Sequence, residues 1–160
     1  MTTLTNMSAD IIAHHAAKPI CVADIMTSRV VTIEMDDRLS LAKEIFDNVS
    51  FHHLLVVDKG ELSGILSYRD FLQALSPNIG TAAEVSRDTE SLQKRVHQVM
   101  THNPLTIAPH CDINQASRLI LDHNIGCLPV LDNNIIVGII TWKNLLNAYC
   151  TRSVITFSAV

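Results

Sequence analysis

The chain contains itself twice. Val22–Leu75 lies over Val96–Tyr149 at a constant offset of 74 residues, with no gap in either copy. Matched pairs run through the whole length, among them Met26-Thr27 with Met100-Thr101, Thr32-Ile33 with Thr106-Ile107, Val56 with Val130, and Gly64-Ile65 with Gly138-Ile139. A short repeat cannot bury its apolar face alone, and an open stack needs more than two units. Two copies therefore predict a closed pair related by a pseudo-two-fold axis, each copy burying its apolar face against the other.

Periodicity gives the element order inside a copy. The β-branched runs Val30–Ile33 and Leu105–Ile107 read as first strands. Ala42, Ile45, Phe46 and Val49 follow the spacing of one helical face, and Ala116, Leu119 and Ile120 repeat it. Asp36, Asp37 and Ser40 are the candidate caps of the first of these helices. HLLVVD and LSGIL then flank Lys59-Gly60, while CLPVLD and IIVGIIT flank Asn133-Asn134, so a hairpin follows each helix. Ser67 and Thr141 open a second helix in each copy, whose apolar side carries Phe71, Leu72 and Leu75, or Leu145, Leu146 and Tyr149. The predicted fold is α/β, layered in the α+β manner, with two tandem β-α-β-β-α repeats at 22–75 and 96–149. Residues 1–21 form a partly helical N-terminal segment, 76–95 a connecting loop and helix, and 150–160 a tail. Val154, Ile155 and Phe157 make that tail too apolar for a free end.

Composition narrows the function. The 160 residues suit one compact unit, and 48% hydrophobic against 18% charged residues describe a chain with a core. The net charge of −4, with Lys and Arg spread singly, argues against duplex nucleic acid as a partner. No apolar run reaches the ~18 residues of a membrane span, and the first twenty residues lack the pattern of a secretory signal. A cytoplasmic protein with reduced thiols and no membrane partner is the expectation for its four cysteines. The glycines spell no dinucleotide, P-loop or nucleophile-elbow motif, so no enzyme activity is expected. The eight histidines match no structural zinc spacing. His123 takes the place of Val49 on the apolar helical face and reads as a satisfied core or interface histidine. Tyr68 and Trp142 read as packing or interface aromatics.

The motifs VADIMT and VHQVMT, LLVVD and LPVLD, and GILSYRD and GIITWKN together resemble the cystathionine beta-synthase (CBS) domain family in its paired arrangement. The resemblance spans Val22 to Tyr149. It implies a regulatory module that binds an adenosine-type ligand (AMP, ADP, ATP or S-adenosylmethionine) in clefts between the copies, with no covalent cofactor and no metal. By that pattern Ser67 faces phosphate and Asp70 ribose, Thr141 and Asn144 take the equivalent places in the second copy, and backbone around Val31 and Thr32 holds the base.

The residue chemistry bears on the same positions. Ser67 sits at a helix start, where free N–H groups welcome an anion, and Arg69 adds positive charge. An ionised Asp70 accepts from a pair of ribose hydroxyls. Asn144 carries no charge, so a ribose clamp there is weaker. Gly126 allows close backbone approach to a flat base, whereas His52 in the first copy fills or lines the same space. S-x-x-D ahead of an apolar run is equally a capping box. The alternative function is thus a ligand-free assembly module of the same fold. The sequence also predicts a homodimer through apolar helix faces, and a separate regulated protein as a further partner. Sedimentation should show a dimer at high micromolar concentration; a monomer there would overturn the dimer.

Overall fold

The computed structural model describes residues 19–80, 82, 85 and 89–157, with side chains given through Thr151. In chain order the elements are α1 (Val22–Ile25), β1 (Thr32–Glu34), α2 (Leu39–Asn48), β2 (His53–Asp58), β3 (Glu61–Ser67) and α3 (Tyr68–Ala74). Two 3-10 turns, Glu90–Gln93 and Val96–Gln98, lead to β4 (Thr101–His102), α4 (Ile113–Asp122), β5 (Cys127–Asp132), β6 (Ile135–Thr141) and α5 (Trp142–Phe157). The architecture is the mixed α/β pair that the repeat predicts, with one hairpin per copy. No described helix is long and apolar enough to cross a membrane.

One sheet runs β1-β2-β3-β4, with β1 parallel to β2 and the other pairs antiparallel. Among the described residues the other sheet consists of the β5–β6 hairpin. Single bridges extend that hairpin on both sides, Ile107 beside Val130 and Thr27 beside Ile139. The outer partner of each hairpin is the Met-Thr segment that opens the other copy. Thr101 pairs with Ile65, and Thr27 with Ile139.

The exchange continues through the segments just before Met-Thr. Lys94 accepts at its carbonyl from Leu39 N, while Val96 N and His97 N donate to the carbonyls of Asp37 and Met35. In the other direction Ile20 accepts from Ile113 N, while Val22 N and Ala23 N donate to Cys111 and Pro109. Each incoming strap satisfies the first N–H of the helix it crosses, a group that otherwise lacks a partner. This explains why none of the expected caps serves α2. Its N-cap is Arg38, which makes no side-chain cap bond, and the Asp37 carboxylate accepts from Glu34 N instead.

The cores follow the same exchange. Val96 and Met100 are buried with Ile33, Leu39, Ala42, Phe46, Leu54 and Leu66 of the first copy. Val22 is buried with Ile113, Ala116, Leu128 and Ile140 of the second. Leu55, Ile65 and Cys127 form a third cluster, with Val30 and Ile139 against it, where the two hairpins meet.

Some sequence expectations fail for local reasons. The strand expected at Leu105–Ile107 is reduced to one bridge because proline replaces both neighbouring donors. In the first copy Leu55 N donates to Val31 O and Met35 N to Val57 O. Pro129 and Pro109 stand at those two donor positions in the second copy, and proline has no N–H to give. His123 is exposed, ending α4 as its C-cap, and is no core histidine. In the connection, the described residues hold the short 3-10 turns, and residues 81, 83, 84 and 86–88 lie outside the described set. The same holds for residues 1–18 and for what Val154, Ile155 and Phe157 pack against. The backbone of α5 runs unbroken through Phe157.

The Met-Thr strap fits because a glycine lies beneath it. A Cβ built at Gly64 would stand 2.8 Å from Thr101 O and 2.5 Å from Met100 Sδ, and one at Gly138 would stand 2.9 Å from Thr27 O and 2.7 Å from Met26 Sδ. The thioether can move aside, but the carbonyl is held in the ladder. Gly64→Ala should therefore cost about 1–3 kcal/mol in urea unfolding, as overpacking of a tight contact does. An unchanged midpoint would show that the strap is not held at this glycine.

Candidate functional site

Among the described residues, two clefts lie where the copies meet, each built from one closing motif and the opposite copy's opening strap. The first, of about 1080 Å³, is lined by Ser67, Arg69 and Asp70 on one side and by Thr101 and Asn103–Leu105 on the other, with Gly126 and His123 beyond. The second, of about 590 Å³, has Thr141, Lys143 and Asn144 facing Thr27 and Arg29–Val31. His52, His53 and Trp142 border both.

The structure thus brings Ser67, Arg69, Asp70 and Gly126 together and gathers Val31, Thr141 and Asn144 elsewhere. Thr32 lines neither cleft. The pairing of Ser67 and Asp70 with backbone around Val31 and Thr32 is corrected: the segment opposite them is Asn103–Leu105, 74 residues further on. A linear reading assigns a copy its own first strand, whereas the exchanged straps deliver the other copy's. Asn103 makes this turn with φ +46 and donates from its N–H to Ser63 O.

The two closing motifs are in different chemical states. Ser67 caps α3, accepting from Asp70 N at 3.1 Å, and its hydroxyl donates to Asp70 Oδ2 at 2.5 Å. The other carboxylate oxygen of Asp70 has no partner among the described residues. In Asn144 the side-chain acceptor is occupied. Its Oδ1 accepts from Thr141 N at 2.9 Å and from Thr141 Oγ1 at 2.7 Å, while Nδ2 reaches Thr27 Oγ1 at 3.5 Å. The capping box is therefore closed in the second copy, and only the first keeps an uncommitted acceptor.

The shared wall is aromatic and weakly polar. His52 is exposed and lines both clefts, its ring edge-on to Tyr68 at 5.9 Å. Tyr68 packs into the core against Phe46 and Phe71, the packing role that the sequence suggests. Trp142, at the equivalent position, is 49% exposed and stands in the cleft wall. The space beside Gly126 is taken by His53, whose Nε2 would lie 3.0 Å from a Cβ there. Sequence reasoning missed His53, Trp142, Arg29 and Lys143 as cleft residues; once the exchange is known, the 74-residue offset finds Arg29 opposite Lys143 as it finds Asn103 opposite Arg69. Burial pushes the Cys127 thiol up to about 12, so it stays protonated. Among the described residues no cluster of His, Cys, Asp or Glu could hold a metal.

Two β-α-β-β-α copies with exchanged straps and two interdomain clefts define a paired-domain module. The family model for the CBS domain matches residues 22–77 and 96–151, and the chain belongs to the CBS domain family. It is 34% identical to a CBS domain-containing protein of Dictyostelium discoideum over 80% of this chain and 90% of that one. It is 35% identical to the L-aspartate semialdehyde sulfurtransferase of Methanosarcina acetivorans over 82% of this chain, spanning only 24% of that longer protein. The crystal structure of CBSX2 in complex with AMP superposes with a TM-score of 0.68 at 25% identity, covering 83% of this chain and 98% of that one.

Burial lowers the His53 pKa, the adjacent His52 lowers it further, and Asp70 opposes both. A histidine depressed in the fold takes up its proton more readily when unfolded. Its contribution is complete above the ordinary value of 6.5 and is lost as pH falls below it. Stability from denaturant unfolding should decline between pH 7 and 5, and His53→Gln should flatten part of that decline. Equal slopes in parent and variant would exclude His53 as a source.

Proposed function

We propose that the chain is a regulatory module that takes an adenosine-type nucleotide in the Ser67–Asp70 cleft and passes its occupancy to a partner protein or to its own oligomer. The observation that carries this reading is the Asp70 carboxylate, oriented by Ser67 through one oxygen and open at the other, at the edge of a cleft between the two copies. A ribose offers two adjacent hydroxyl donors, which suits a fixed carboxylate acceptor. Arg69 and the N-terminus of α3 favour the phosphate, and Pro104 and Leu105 offer apolar surface to the base. The cleft volume is of the order of those that enclose small organic ligands, ~300–1,000 Å³. The AMP in the CBSX2 structure supports the same ligand class.

Because the cleft walls come from both copies, a ligand that touches both favours one relative setting of the halves and shifts the population toward it. AMP, ADP, ATP and S-adenosylmethionine share the nucleoside that Asp70 would read, and calorimetry with each distinguishes them. The ligand-free assembly reading draws on the cap that Ser67 already forms with Asp70 N.

Asp70→Asn should weaken AMP binding by roughly 1.5–3 kcal/mol, as expected for a hydrogen bond to a charged group, with a smaller change in stability. Asn144→Asp supplies the missing carboxylate and should add a second, weaker AMP site. Titration calorimetry on the parent and both variants checks this. The absence of heat from AMP, ADP, ATP and S-adenosylmethionine with the folded parent would leave the assembly module as the function.

A further inference from the structure

We infer that the second cleft is a site for a small amphipathic anion without a ribose, an apolar body carrying one phosphate or carboxylate group. The inference concerns the cleft that the adenosine reading leaves unassigned, and it stands independently of that reading.

The two clefts occupy equivalent places, so their differences are local substitutions. Asp70 is replaced by Asn144, and Asn103 by Arg29, while Arg69 is matched by Lys143. The first cleft therefore has one guanidinium and one carboxylate, whereas the second has a guanidinium and an ammonium and no acidic residue in its lining. Neither Arg29 nor Lys143 is in an ion pair among the described residues, where the pairs are Lys43 with Asp47 and His97 with Asp36. Lys143 Nζ lies 5.9 Å from the centre of the Trp142 ring, which keeps the ammonium beside the cleft. Two cations on opposite walls favour an anion between them.

The same substitutions remove the means of reading a ribose. Asn144 Oδ1 already accepts twice from Thr141, and Nδ2 faces Thr27 Oγ1, so a diol meets no free acceptor there. Val30, Val31, Phe51, Leu55 and Ile139 give the cleft an apolar floor, beside the shared wall of His52, His53 and Trp142 and the hydroxyl-bearing Ser50. Phe51 and Val31 are 38% and 39% exposed, more than an interior side chain, and open to the cleft. An apolar group there would cover them while its charge meets Arg29 and Lys143.

Titration calorimetry on the full chain with phenyl phosphate, and with benzoate as its carboxylate counterpart, tests the site. At least one should bind saturably, with inorganic phosphate and benzyl alcohol at least tenfold weaker, because each lacks half of the recognised chemistry. The double variant R29Q/K143Q should weaken the bound probe at least tenfold and leave AMP affinity as in the parent. Both side chains are exposed, and superimposable thermal melts confirm that the variant is folded. Saturating AMP should not displace the probe. The inference is overturned if neither probe gives saturable heat, if the double variant binds as the parent does, or if AMP competes. AMP without heat beside a probe that binds would remove the adenosine reading and leave this one in place.

Discussion

The contact of each Met-Thr strap with the glycine of the opposite hairpin is the constraint on which the rest of the molecule depends. Thr101 O and Met100 Sδ occupy the space where a Gly64 side chain would stand, and Thr27 O and Met26 Sδ do the same at Gly138. Backbone pairing at these points places Val96 and Val22 in the opposite cores and lets the Lys94 and Ile20 carbonyls complete the helix starts at Leu39 and Ile113. Neither half is then a folding unit by itself, since each takes a strand partner, a helix-terminal acceptor and core volume from the other. Opening one strap exposes buried apolar groups and unpaired backbone together, which couples the halves cooperatively.

The clefts are a consequence of the same crossing. Because the chain passes over the other copy's hairpin before entering its own first strand, the residues after Met-Thr face the other copy's closing motif. Each cleft therefore has walls from both halves. The clefts occupy equivalent places in the repeat, and a few residue differences separate them: Asp70 against Asn144, Arg29 against Asn103, His53 against Cys127. A carboxylate with a free oxygen and an amide with none cannot recognise the same partner equally. His52, His53 and Trp142 stand between the clefts, so the wall of one is also the wall of the other.

Much of the fold was legible because it rests on periodicity and repetition. Ala42, Ile45 and Phe46 lie on the inner face of α2, and the hairpins β2–β3 and β5–β6 follow their turns at Lys59-Gly60 and Asn133-Asn134. The second copy's first strand is shorter than its composition suggests. Leu105–Ile107 has strand composition, yet Pro109 and Pro129 remove the donors its ladder needs, and Pro129 acts from another strand. A core role for His123 fails for a similar reason: its place in the repeat is apolar, but α4 ends there and turns it to solvent.

The sequence by itself determined the repeat, the CBS family, the element order and the residue types of both closing motifs, since identity and spacing are properties of the chain. It also located Ser67 and Asp70, whose mutual hydrogen bonds span three residues and depend on a local turn. Only the tertiary structure decided which copy's opening strap faces which closing motif, and hence that Asn103–Leu105 rather than Val31 and Thr32 stands opposite Asp70. It alone decided that the Asn144 carbonyl is occupied by Thr141 while one Asp70 oxygen has no partner among the described residues. Those outcomes depend on residues far apart in the chain meeting across the exchanged straps, and a repeat with a constant offset is compatible with exchange or without it. The glycine beneath each strap leaves room for a crossing backbone where a side chain would stand, but both copies carry it, so it permits the exchange without selecting it.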